Sequence, residues 1–281
     1  MTATATSHAA PGQARQGFME RHYFLLRRLH SLSGVVPIGA FLFPHLITNS
    51  SIVWGAWLRP GDHGHGGVET FQHEVNFIHS LPALVLLEIF VIWLPIAYHA
   101  ALGVYFARTG HSNVQRYAYQ DNWRYVLQRW TGYIGLIFIF MHLSSLRWGW
   151  TYGGLMPAFD PEAAASSVAV HLQQGSMGAW MALVYLVGVL ALVFHFANGL
   201  WTAAITWGLT ISVAAQRRWG YVCAAIGLGL AAAGVAAVIG FARLDPEVAR
   251  ETERRIGGHT ASLEQAIGNQ SGTTIAPAHA S

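Results

Sequence analysis

Five long apolar stretches dominate the chain, over roughly 29–54, 78–107, 126–150, 177–209 and 219–242. Crossing a bilayer takes about 20 apolar residues, so each is long enough to span. Arginine brackets them. Arg27 and Arg28 precede the first, Arg108 ends the second, and Arg124 and Arg129 lead the third. Arg217 and Arg218 separate the fourth from the fifth, which ends at Arg243. The pattern predicts an all-α membrane protein of five transmembrane helices, the first four forming a bundle. The second and fourth stretches exceed what a bilayer needs, which predicts tilt or extension beyond it. On these bounds, residues 1–28 are a cytoplasmic N-terminal segment, 29–242 the transmembrane domain, and 243–281 an extracytoplasmic tail. The Gly/Ser/Thr/Ala end of that tail predicts disorder. Residues up to Phe18 lack the apolar core of a cleavable signal peptide.

Charge orients the bundle. Arg15, Arg21, Arg27, Arg28, Arg108, Arg116, Arg124, Arg129, Arg217 and Arg218 gather at one end, while the short loops at the other hold only Arg59 and Arg147. Cytoplasmic loops carry the excess of basic residues, so the N-terminus is expected inside and, after five crossings, the C-terminus outside. Composition agrees with a lipid setting. Of 281 residues 53% are hydrophobic and 10% charged, against about 25% charged in soluble domains. A net charge of +3, all of its basic side chains arginine and none clustered in one patch, gives no footprint for nucleic acid. The single cysteine, Cys223, reads as a small apolar side chain, and without a C-x-x-C-H motif covalent c-type haem attachment is excluded.

Histidine changes the picture, with 15 residues. Four lie inside predicted spans, one in each of the first four: His45, His99, His142 and His195. A buried imidazole needs a hydrogen-bond partner or a metal. The spacings repeat: 54 residues from His45 to His99 and 53 from His142 to His195, with 97 and 96 between corresponding members. At 1.5 Å per residue, His45 and His142 lie about 24 and 20 Å from the arginine-rich ends of their helices, His99 and His195 about 14 and 18 Å. These are two levels, so His99 pairs with His195 nearer the inside and His45 with His142 nearer the outside. Two facing histidines are the axial ligands of a low-spin b-type haem, and two levels imply two non-covalent haems. Gly34 and Gly132 precede the ligands by about a residue decade, and Gly103 and Gly199 follow His99 and His195 in the same H-x-x-x-G. Such glycines let a macrocycle or a helix approach closely. Arg28, His30 and Ser31 at the start of the first helix, with Arg129 and Thr131 at the start of the third, can hold haem propionates; the arginines can equally mark the interface by snorkelling. His73, His79 and His171, like His30, fall at predicted interfaces and read as solvated, His30 being the candidate exception. Glu88 stands in the second span with no arginine near it in sequence. It is either a neutral acid bonded to a neighbouring helix or a group with a quinone or proton role. The outer stretch 55–77, with His63-Gly64-His65-Gly66-Gly67, reads as a flexible polar loop, although two histidines beside glycines can also touch a metal.

The segments Arg27-Arg28-Leu29-His30-Ser31-Leu32, His45-Leu46, Leu87-Glu88-Ile89-Phe90, Tyr98-His99-Ala100, Leu127-Gln128-Arg129, and Phe194-His195-Phe196 followed by Asn198-Gly199-Leu200-Trp201 occur in this order over Phe24 to Arg218. The chain thereby resembles the cytochrome b subunits of five-helix, two-haem succinate dehydrogenases and fumarate reductases. The resemblance implies axial ligation by His45, His99, His142 and His195. It also implies partners on the cytoplasmic side, a FAD-containing flavoprotein and an iron–sulfur subunit, and menaquinone or another quinone as substrate. Some fumarate reductases of this type carry a glutamate just before the fourth ligand; here Val193 stands two residues before it. The alternatives are the cytochrome b anchor of a formate dehydrogenase or hydrogenase, and a non-redox haem-binding anchor. The expected location is a bacterial cytoplasmic membrane. A cysteine introduced at position 116 should escape a membrane-impermeant thiol reagent in intact cells, whereas one at position 259 should react; the opposite pattern would invert the topology.

Overall fold

The structure, a computed structural model, describes residues 17–58, 65–109, 120–173 and 178–257. Among the described residues the chain is helical with no strand. After a short turn at Phe18–Arg21 come α1 (Tyr23–Leu58), α2 (Gly66–His79), α3 (Leu84–Thr109), α4 (Gln120–Leu146), α5 (Ala164–Gln173), α6 (Ala179–Thr206), α7 (Val213–Arg243) and α8 (246–257). Five of these, α1, α3, α4, α6 and α7, are long and apolar enough to cross a membrane. The predicted spans are all present, with ends shifted by a few residues.

Helix α1 packs on α3, α3 on α4, α4 on α6 and α6 back on α1, closing a four-helix ring; α7 lies against α1 and α6. Two ring helices are locally widened. α1 opens into a π-helical turn at Gly34–Ile38, which contains Pro37, and α3 does the same at Glu88–Trp93, just before Pro95. Proline has no N–H to give the preceding turn, and a π-turn is one way a helix absorbs that loss.

At the end remote from the arginine cluster, the residues expected as loop and tail build a cap. Within the stretch 55–77, residues 55–58 and 66–77 are helical. α2 doubles back on α1 so closely that a Cβ on Gly67 would stand 2.1 Å from the Ile52 carbonyl oxygen, which is why glycine occupies that place. His63 and Gly64 lie outside the described residues. Within the tail, residues 246–257 are helical, and Glu253 there is 4% exposed. Glu253 accepts bonds from Ala165 N–H (2.6 Å), Ser166 N–H (3.1 Å) and Ser166 Oγ (2.6 Å), capping the start of α5. Gln72 of α2 accepts from Ala164 N–H at 3.0 Å and donates to the Pro161 carbonyl. A helix start has orphan N–H groups and a favourable field for a carboxylate, so these two side chains bind α2 and α8 to α5. Burial still pushes the Glu253 carboxyl above its ordinary range. Gln173, at the other end of α5, donates to the Phe241 and Leu244 carbonyls at the end of α7. Phe71, Val68, Phe241, Val238 and Leu172 form the apolar core of this cap.

His171 is inside the cap rather than solvated. It is 2% exposed, and its Nε2 lies 3.1 Å from the Tyr185 hydroxyl. Its apolar surroundings oppose charge and push its pKa from 6.5 down to about 4. Unfolding restores the higher value, so the contribution of neutral His171 is complete above about pH 6.5 and is lost as pH falls toward 4. The melting temperature of the protein in detergent should therefore decline on acidification through this window, and the decline should be shallower in His171→Gln. An identical slope in both proteins would contradict the assignment.

Candidate functional site

The four span histidines meet in pairs across the ring. His99 of α3 and His195 of α6 have ring centres 6.0 Å apart and planes at 85°. His45 of α1 and His142 of α4 stand 5.8 Å apart at 83°. The first pair lies toward the arginine-rich end and is called inner, the second outer. Two imidazoles bonded to opposite sides of one metal, each nitrogen about 2 Å from it, place their ring centres roughly 6 Å apart. Both separations fit that arrangement. No group of three or more His, Cys, Asp or Glu side chains that could hold a metal ion occurs among the described residues; a haem iron asks the protein for only two.

The inner pair is held by backbone. His99 Nδ1 lies 2.9 Å from the His30 carbonyl oxygen, and His195 Nδ1 lies 3.0 Å from that of Gln128. A carbonyl can only accept, so each Nδ1 carries the proton and Nε2 keeps its lone pair, the tautomer a metal requires. The glycine four residues on makes each carbonyl reachable. Helical side chains lean toward the N-terminus and cover the preceding turn. A Cβ on Gly34 would stand 2.5 Å from His99 Cε1, and one on Gly132 would stand 2.9 Å from His195 Cε1. Gly103 and Gly199 make the reciprocal contacts. Gly103 faces His30 (3.3 Å to Cε1) and Gly199 faces Gln128 (3.5 Å to Nε2). The internal repeat read from the spacing of the histidines thus extends to their supports, with residues 30 and 34 matching 128 and 132.

The outer pair is held by aromatic rings, again in duplicate. Phe41 stacks on His45 at 5.0 Å and Phe138 on His142 at 5.7 Å, each from four residues earlier. Tyr185 approaches His142 from α6, with ring centres 5.7 Å apart. His142 Nδ1 is buried without a hydrogen-bond partner.

At the arginine-rich end, His30 stacks on His99 with ring centres 4.0 Å apart, and its Nδ1 is buried without a partner. Arg28 lies over Phe24 and near Trp207, its Nε likewise buried and unpartnered. Ser31 Oγ donates to the Arg28 carbonyl and accepts from Trp207 Nε1 at 2.8 Å. Arg129 bonds and stacks on Tyr125, and Thr131 bonds back to the Leu127 carbonyl. Sequence reasoning missed a polar chain here. Arg124 Nε donates to Asn198 Oδ1 at 2.9 Å, Asn198 Nδ2 donates to Gln128 Oε1 at 2.8 Å, and Gln128 Nε2 donates to the His195 carbonyl at 3.1 Å. The usable signal was an amide, Asn198, three residues past His195 on an otherwise apolar helix. Glu88 is not alone either. Arg147 grips it from the end of α4 with two bonds of 2.9 Å, Nε to Oε1 and Nη2 to Oε2. The carboxylate partner pushes the Arg147 pKa up. His73 and His79 are exposed, as read from sequence.

Four apolar helices ring two facing histidine pairs and a fifth packs against the ring, the frame of a polytopic membrane protein with paired histidines at its centre. Over 218 residues the chain is 40% identical to the succinate dehydrogenase cytochrome b558 subunit of Bacillus subtilis (strain 168), a match covering 78% of this chain and 96% of that one. No family model matches. At that identity and coverage, the chain belongs to the succinate dehydrogenase cytochrome b subunit family. Replacing Asn198 by Ala should leave Arg124 and Gln128 without their partner and cost about 1–3 kcal/mol of stability. Thermal unfolding in detergent measures this, and an unchanged melting temperature would remove the chain Arg124–Asn198–Gln128 from the support of His195.

Proposed function

We propose that this chain is the membrane anchor of a succinate:quinone oxidoreductase. In this reading it holds one b-type haem between His99 and His195 and a second between His45 and His142. What carries the reading is the geometry of the two pairs: ring centres about 6 Å apart across the bundle, with the inner rings locked in the metal-binding tautomer by carbonyls. Bound there, haem iron supplies one-electron exchange. The protein's own share is to fix the rings, exclude water and supply cations to the propionates. The buried, unpartnered Arg28 Nε and His30 Nδ1 support a role as propionate partners at the inner haem, with Ser31 and Arg129 on the same end of the bundle. Gly34, Gly103, Gly132 and Gly199 keep the space around the inner pair clear.

The function follows from this and from family membership. The chain carries electrons between a cytoplasmic iron–sulfur subunit and menaquinone or another quinone, while the dicarboxylate chemistry belongs to a FAD-bearing partner. It does so in a bacterial cytoplasmic membrane, N-terminus inside. The Glu88–Arg147 pair, whose acid was read as a candidate for a quinone or proton role, lies at the outer end of α4. Two charge-assisted bonds to one guanidinium fix the Glu88 carboxylate in position there.

Pyridine haemochrome analysis should report about two haems b per chain. His45→Ala with His142→Ala should leave one, and His45→Ala with His99→Ala should leave none. If His45→Ala with His195→Ala leaves one intact haem, the pairing is wrong. Protein abundance in the membrane must be measured alongside, because a lost ligand strands its partner in an apolar site.

A further inference from the structure

Helices α4 and α6 meet along one face of each, and side-chain size alternates across the contact. Gly132, Gly135, Phe138 and His142 recur at three- and four-residue intervals on α4, as Tyr185, Gly188, Leu192 and His195 do on α6. Where α4 offers glycine, α6 fills the space. A Cβ on Gly135 would stand 2.5 Å from Leu192 Cδ2, just as one on Gly132 would meet His195. Nearer the outer end the roles are exchanged. A Cβ on Gly188 would stand 2.3 Å from Phe138 Cγ, so glycine there lets the Phe138 ring press against α6. Phe138 is the ring stacked on His142. Tyr185, 6% exposed, stands one turn from Gly188. Its ring meets Phe138 at 5.2 Å and 89°, and His142 at 5.7 Å and 66°. Crossed rings at such separations attract, because the edge of one is positive and the face of the other negative.

These walls matter because of what His142 lacks. The inner rings are fixed by carbonyls, whereas His142 Nδ1 is buried and finds no hydrogen-bond partner among the described residues. Tyr185 is tied at its far end. Its hydroxyl lies 3.1 Å from His171 Nε2, and the two rings stand 5.5 Å apart at 77°. His171 belongs to α5, the helix to which α2 and α8 are bound, and is 2% exposed. One side chain therefore joins the cap to the outer pair.

We infer that Tyr185 is a positioning residue for His142: it keeps the imidazole plane crossed with that of His45, and His171 holds Tyr185 in place from the cap. The inference rests on the haem ligation proposed above. The angle so protected has an electronic meaning. Imidazole planes crossed near a right angle, as at 83° here, leave the two iron orbitals that mix with the rings almost equal in energy. A low-spin ferric iron then shows a large maximum g value. Planes turned toward parallel split those orbitals and lower it.

Low-temperature electron paramagnetic resonance of the oxidised, haem-loaded protein in membranes is the test. The signal missing from His45→Ala with His142→Ala identifies the outer haem. Tyr185→Leu should lower the maximum g value of that signal and leave the inner signal where it is. Tyr185→Phe keeps the ring and should move the outer signal less. Combining it with His171→Leu should move the signal no further than the larger single change, since both remove the same bond. Should Tyr185→Leu fail to accumulate, Tyr185→Phe decides by the same reading. An unmoved outer signal overturns the inference. So does equal displacement of both signals, which is what general loosening of the bundle gives. Fewer than two low-spin signals in the unsubstituted protein overturns the proposed ligation itself, so the two failures are distinct.

Discussion

Two imidazole rings facing each other at about 6 Å impose a spacing that the rest of the bundle must satisfy. Packed helices approach to about 8–10 Å between axes, with side chains filling the gap. Each pair here joins helices that face across the ring, α3 with α6 and α1 with α4. The centre of the bundle is therefore given to the histidines and whatever they hold. The cohesion it forgoes is made elsewhere. α7 packs along α1 and α6, and the main apolar core sits in the cap beyond the outer pair. The inner half relies more on directional bonds, namely the two carbonyl contacts and the chain from Arg124 to the His195 carbonyl.

Duplication explains why so few residue types suffice. Position 30 and position 128 each lend a carbonyl to an inner ring, 34 and 132 are the glycines that uncover it, and 41 and 138 are the phenylalanines stacked on the outer rings. The halves differ where their environments differ. Position 30 is a histidine stacked on His99, whereas position 128 is a glutamine drawn into the polar chain with Asn198. His30 thus acts through its backbone and its ring face together.

The spanning helices and the histidine pairs were legible in the sequence because hydropathy sets length, and length sets depth; Gly34 and Gly132 followed from their place relative to the span histidines. Other features were hidden for physical reasons. Glu88 and Arg147 are 59 residues apart, and no local pattern announces a pair between the start of α3 and the end of α4. Helices α2 and α8 are short and polar in composition, and they show their buried sides, Val68, Phe71 and Gln72 or Thr252 and Glu253, only once α5 is there to receive them. His171 looked interfacial for the same reason. Its burial depends on three segments far apart in the chain.

Glu253 gives the molecule an order of construction. The cap on α5 is completed by a carboxylate from α8, which follows α7 in the chain. A ribosome delivers α5 before α7 has entered the bilayer, so the Ala165 and Ser166 N–H groups of α5 wait without their carboxylate until the last crossing is finished and α8 has been brought to the same side. Until then the far end of the bundle stands unsealed, and closure of that end reports that every span has been threaded.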